Sequence, residues 1–261
     1  MPIRRPRLVQ IRPNKAKHKL EQGGTVIALG RSNDAEFVDR VGSLGFDAAW
    51  IEGEHGPVDF KDISDITRAC DIWGTTSVVR INMNLPGVIY RTLDVGAQGV
   101  VVPHVNTADE ARAVVDAAKF GPIGHRGAYV SRQGFGVEDY VGKANDETLL
   151  VILIEDIVGI NNLADILTVD HIDVFFVAPA DLAQSMGYPG QANPLHPEVQ
   201  KTVDKAVAQI NAAGKVAGGL TSESAVVDDI RKGVRFLLMN WTDLLTSSAE
   251  AFLQKVAAAD K

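Results

Sequence analysis

The chain has 261 residues, with 46% apolar and 23% charged side chains, a composition that suits a water-soluble globular protein with a sizeable core. Its formal charge of −7 argues against nucleic acid as the main partner, and no apolar run approaches the roughly 18 residues that cross a membrane. Cys70 is the only cysteine, so no intrachain disulfide can form, which fits a reducing cytoplasm.

Residues 1–20 carry seven Lys or Arg and no acid. Three prolines and the lack of serine weigh against a transit peptide, so this stretch is expected to be a basic arm, at about 1–13, leading into a short helix. In "NKAKHKLEQGG", Leu20 is expected to pack inward and Gly23 to end the helix.

Eight short apolar runs follow: "TVIALG" (25–30), "FDAAWIEG" (46–53), "TSVVRI" (76–81), "GVVVPHV" (99–105), "LLVILIED" (149–156), "DVFFVAP" (173–179), "KVAGGL" (215–220) and "RFLLMNW" (235–241). Most are nearly continuous rather than alternating, as strands buried on both faces read. Helix-like stretches separate them, among them "DFKDISDITRACDIWG", "TADEARAVVDAAKF", "PEVQKTVDKAVAQINAAG" and "SSAEAFLQKVAAAD". Eight strand–helix units predict an α/β fold, a (β/α)8 barrel forming a single domain over 1–261. A doubly wound open sheet is the alternative. However, the first strand runs into "GRSNDAEF", which has no Gly-rich phosphate loop.

Barrel chemistry sits at the carboxyl ends of the strands. There the chain places Arg31 after the first strand, Glu52, Glu54 and His55 after the second, and Arg80 at the third. His104 follows the fourth, Glu155 and Asp156 the fifth, Asp181 the sixth, and Asn240 ends the eighth. Singly, each has a structural explanation: Asp181 as a cap for "LAQSM", Glu155 as a solvated rim residue, His104 as a packed loop histidine. Together they describe a site. Two carboxylates suit a hard divalent ion such as Mg2+ or Mn2+, with Co2+ a further candidate. Such an ion polarises a carbonyl and stabilises an enolate, a neutral histidine takes a proton, and an arginine stabilises an oxyanion. Aldol chemistry on a 2-oxo acid needs this set. A Schiff-base route needs a lysine at the carboxyl rim, and Lys215 instead opens its strand.

The stretches "GFDAAWIEGEHGPVD", "VVPHVNTADEARAVVDAAKFGPIGHRG", "KANDE", "IEDIVGINNLADIL" and "IDVFFVAPADLAQSMGYPG" followed by "HPEV" resemble the HpcH/HpaI family. These are the class II pyruvate-dependent 4-hydroxy-2-oxo-acid aldolases, and the likeness runs from about residue 14 to the eighth helix. It implies a phosphoenolpyruvate/pyruvate-type barrel in a cytoplasmic homo-hexamer whose eighth helix is exchanged between neighbours. It implies that Glu155 and Asp181 hold the metal and that the turn of Ala178, Pro179, Ala180 and Asp181 receives the substrate carboxylate through backbone N–H groups. Arg80 would sit beside the keto oxygen, and His55 would be the base, steered by Glu52 and Asp94. The implied partners are a small 2-oxo acid, pyruvate or hydroxypyruvate, and an aldehyde. The chain departs from the family pattern at Glu52 (commonly Asp), Leu153 (commonly Gln) and Ala178 (commonly Gly). Decarboxylation of oxaloacetate as the main activity, and a non-catalytic barrel that binds a 2-oxo acid, are the competing readings.

Overall fold

A computed structural model describes residues 9–191 and 195–260, so residues 1–8 of the basic arm lie outside the described residues. Eight strands close a barrel in chain order: β1 (Val26–Gly30), β2 (Ala48–Glu52), β3 (Thr76–Arg80), β4 (Gly99–Val102), β5 (Leu149–Ile154), β6 (Val174–Val177), β7 (Ala217–Leu220) and β8 (Val234–Asn240). Every neighbouring pair is parallel, including β1 with β8, so no edge is left open. The expected (β/α)8 barrel is the fold.

The nearly continuous apolar runs have a simple cause. One set of alternating side chains, including Val26, Ala28, Trp50, Val78, Leu153, Phe176 and Leu238, fills the barrel interior. The other set, including Ile51, Val79, Val100, Ile152 and Phe175, packs under the outer helices. Both faces of each strand are therefore buried. Inside, Trp50, Phe176 and Phe236 meet at ring-centroid distances of 5.4 to 6.4 Å and form a solid plug. Truncating one of these rings to Ala would cost about 3–5 kcal/mol.

The outer helices start where the sequence supplies caps. Asp59 and Asp62 form a reciprocal cap on helix Phe60–Trp73, and Thr107 and Glu110 do the same for helix Ala108–Ala118. At the barrel's amino end, helix Lys15–Glu21 inserts Ala16 and Leu20 into the interior core, as expected for Leu20. The Asn14 side chain fastens it by donating to the Gln98 and Glu147 carbonyls at 3.0 Å.

Three features were not read from the sequence. The link after β5 is split into two short helices, Ile157–Asn161 and Leu163–Ile166. A short helix, Pro179–Ser185, precedes the long helix Pro197–Ala212. The segment 119–148 makes a long excursion at the amino end of the barrel before β5, with only one 3-10 turn (Arg132–Gly134) and one short helix (Tyr140–Ala144). Helix Trp241–Ala259 buries none of its residues, and Leu245, Phe252, Leu253 and Val256 on it are 43–65% exposed. Among the described residues, no helix is long and apolar enough to cross a membrane.

Candidate active site at the carboxyl end of the barrel

The pleat decides which strand-end residues face inward. Ala48, Trp50 and Glu52 share one side of β2, and Val78 and Arg80 share one side of β3. Glu52 and Arg80 are also register partners on these adjacent strands. They therefore meet above the aromatic plug. Arg80 Nε donates to both Glu52 oxygens, at 3.0 and 2.8 Å, and Nη2 lies 2.7 Å from Glu52 Oε2. The third guanidinium nitrogen, Nη1, is 3.0 Å from Glu54 Oε2.

Glu52 has a second task. Its Oε1 accepts the backbone N–H groups of Glu54 and His55, at 2.9 and 3.0 Å, and so fixes the turn that follows β2. Gly56 lies so close to Glu52 that an added Cβ would stand 2.4 Å from the Glu52 carbonyl oxygen, so the turn admits no side chain there. Burial opposes ionisation of Glu52. Its hydrogen bond and charge contact with Arg80, with the two loop amides, outweigh burial and hold the carboxyl below its ordinary range. Glu54 shows the opposite balance: burial dominates and raises its carboxyl, although Arg80 and His55 pull it down.

Together with these groups, a pocket of about 480 Å³ opens above the plug. Trp50, Leu153, Phe176 and Leu238 make its floor, and Arg31, Asn33, His55, Ala180, Asp181 and Asn240 are on its walls. Leu153 and Ala178, two of the departures from the family pattern, both line it. The His55 side chain is 69% exposed, with its Nε2 3.8 Å from Glu54 Oε2. Arg31 holds a left-handed backbone (φ 61°), and its carbonyl accepts from Trp241 Nε1 at 3.1 Å.

Glu155 follows β5 and is almost wholly buried. Its carboxylate accepts the His104 N–H at 2.8 Å, and the His104 ring lies 3.5 Å away. Burial pushes the Glu155 carboxyl up to about 7; the His104 contacts resist this, and the negative charge of Asp181 adds to it. Asp181 stands in the first turn of helix Pro179–Ser185 and caps nothing there, contrary to the structural explanation open to it. His104 itself is held by Asp156, whose oxygen lies 2.9 Å from Nδ1 and also accepts from Asn106 at 2.9 Å. Burial disfavours its charged form, but Asp156 and Glu155 prevail and raise it.

This donor set fits a divalent ion. Two mutually repelling oxygen ligands, one of them deeply buried, lack a matching cation, and hard oxygens suit Mg2+ or Mn2+. Among the described residues, no group of three or more His, Cys, Asp or Glu is arranged to hold a metal, so the remaining positions would fall to water and substrate oxygens.

Three expectations need correction. Asp94 does not join the others within this chain. It ends helix Pro86–Asp94, which returns to the amino end of the barrel, and there it accepts from Arg126 Nη2 at 2.6 Å. Glu52 does not steer the imidazole, because its oxygens are taken by Arg80 and the turn amides; Glu54 is the acid beside the ring. The turn at 178–181 has fewer donors than supposed. Pro179 has no N–H and the Ala178 N–H already serves the Ile154 carbonyl, which leaves Ala180 and Asp181. The sequence signal for Glu54 was present in "EGEH", but only the loop conformation turns it inward.

The HpcH/HpaI aldolase/citrate lyase family model matches residues 26–241, the whole barrel. The chain is 36% identical over 243 residues to the 2-keto-3-deoxy-L-rhamnonate aldolase of Klebsiella pneumoniae, a match covering 90% of each chain. It is 34% identical over 262 residues to the enzyme of that name from Salmonella gallinarum, covering 95% of this chain and 97% of that one. Among solved structures, an HpcH/HpaI aldolase/citrate lyase family protein from Burkholderia cenocepacia J2315 superposes with a TM-score of 0.86 at 27% identity, covering 94% of this chain and 99% of that one.

Proposed function

The chain belongs to the HpcH/HpaI aldolase/citrate lyase family and is a carbon–carbon lyase of the aldolase type, and from that premise we propose how its own residues work. The substrate is a 4-hydroxy-2-oxo acid, cleaved reversibly to pyruvate, or hydroxypyruvate, and an aldehyde. The observation that supports this most is one rim that holds a fixed guanidinium, an exposed imidazole and a buried, cation-deficient carboxylate.

Glu155 and Asp181 would hold the divalent ion, Mg2+ or Mn2+. When bound, it supplies Lewis-acid polarisation of the substrate's keto group. Arg80 still has N–H groups not used by Glu52 and Glu54, and these face the oxygen on which charge develops as the carbon–carbon bond breaks. The free amides of Ala180 and Asp181 receive the substrate carboxylate. His55 takes the proton of the 4-hydroxyl and returns it in the synthetic direction. The apolar floor of Trp50, Leu153 and Phe176 excludes water below the reacting carbons.

The exposed apolar residues of helix Trp241–Ala259 support a homo-oligomer, a hexamer in our reading, in which this helix packs on a neighbouring subunit. The test of the activity is product analysis by NMR. Pyruvate and hydroxypyruvate are each mixed with a panel of aldehydes, with Mg2+ or Mn2+ and again with excess EDTA. Aldol products that vanish with EDTA and return with metal are expected. Full turnover in EDTA overturns the metal assignment. Oxaloacetate decarboxylation without any aldol product overturns the aldolase reading.

A further inference from the structure

Glu54 is a buried acid that the stability of the fold does not call for. Arg80 is already matched by Glu52, which contacts it through both oxygens. The Glu52 carboxylate also holds the turn. Glu54 nevertheless folds its side chain back from an exposed turn until only 10% of it is accessible. There it adds a second negative charge to a single guanidinium. Burial works against that charge, and Arg80 offsets only part of the cost. Such an arrangement persists at functional sites, where a costly group is kept for what it does.

The geometry indicates what it does. Glu54 Oε2 lies 3.0 Å from Arg80 Nη1 and 3.8 Å from His55 Nε2, so one oxygen stands between the two groups that act on substrate. Arg80 is fixed by β3 and by Glu52, whereas the His55 ring is 69% exposed and has no other acidic side chain within 4.0 Å among the described residues. We propose that Glu54 is the positioning residue of His55: Arg80 anchors the Glu54 carboxylate, and that carboxylate holds the imidazole over the pocket. The order of support runs from strand β3 through Arg80 and Glu54 to His55. Glu52 serves the turn and Arg80.

This inference rests on the aldolase reading above. The wild-type enzyme must first cleave a 4-hydroxy-2-oxo acid. If it does not, that reading fails and Glu54 is not in question. With an active substrate in hand, Glu54→Gln, Glu54→Asp, His55→Ala and the double variant Glu54→Gln/His55→Ala are compared. Glu54→Gln should melt at or above the wild-type temperature, because it removes a buried charge. Its kcat for cleavage should fall about 10- to 100-fold, within the range that general-base catalysis contributes, while KM for the 2-oxo acid changes little. Glu54→Asp should recover part of the loss, since it keeps the charge but shortens the reach. In the His55→Ala background, Glu54→Gln should cost almost nothing further, because its target is gone. Two results overturn the proposal: a fall in melting temperature in parallel with kcat, which marks a structural acid, or a full additive loss in the double variant, which means that Glu54 does not act through His55.

Discussion

Replacing Glu52 by glutamine keeps the size of the side chain and removes the charge that joins two elements of the site. In the wild type both carboxylate oxygens accept from Arg80 and one also accepts two turn amides. A glutamine has one accepting oxygen, and its NH2 group would face donors. Removing one partner of a buried ion pair costs about 3–5 kcal/mol. Glu54 still reaches Arg80 at 3.0 Å, and the two paired side chains keep 17% and 11% of their surface exposed, so the lower end applies. For a chain of this size, about 3 kcal/mol lowers Tm by roughly 6–12 °C. Circular dichroism melting at one fixed protein concentration reads it. The acid side offers a second check. The Glu52 carboxyl is held below its ordinary value of 4.5, so its stabilisation is complete above about pH 4.5 and fades as the pH falls through the lower, folded value. The Tm gap between wild type and variant should therefore narrow below pH 4.5. A variant that melts with the wild type at pH 7, or a gap that widens in acid, refutes the reasoning.

Other outcomes follow from the same geometry. Arg80→Ala should lower kcat by about two to three orders of magnitude, as loss of one oxyanion donor does, and Arg80→Lys should recover little because a point charge cannot serve Glu52, Glu54 and substrate together; steady-state kinetics checks both. His55→Ala should keep its fold and its Mn2+ affinity, measured by calorimetry, yet lose most aldol cleavage. Asp181→Ala should keep its circular dichroism spectrum and lose Mn2+ affinity. Changing Phe252 and Leu253 to Ser should lower the assembled mass seen by light scattering, because both are exposed apolar residues on a helix that packs on nothing in its own chain.

Much of this was legible in the residues. Eight apolar runs at barrel spacing gave the architecture, and strand ends picked out Glu52, Arg80, Glu155 and Asp181 because the pleat has a fixed period. What stayed hidden depended on conformation between the strands. Asp94 was grouped with the site by its nearness to β3 in sequence, but a helix of nine residues carries it to the other end of the barrel. Glu54 and Glu52 looked interchangeable beside His55, and only the turn, with its amides on Glu52, separates their partners. The excursion at 119–148 has no periodic apolar pattern, so no element could be read there.

The aromatic plug under the pocket has a kinetic meaning. Trp50, Phe176 and Leu238 seal the barrel from below, so the cavity has one mouth and no back door. The fragment that becomes pyruvate sits deeper, near Glu155 and Asp181, and the aldehyde lies between it and solvent. Departure is then a queue: the aldehyde leaves first and the 2-oxo acid last, and in synthesis the 2-oxo acid must enter before its partner. An aldehyde that arrives early blocks the only entrance, so excess acceptor slows synthesis by obstruction.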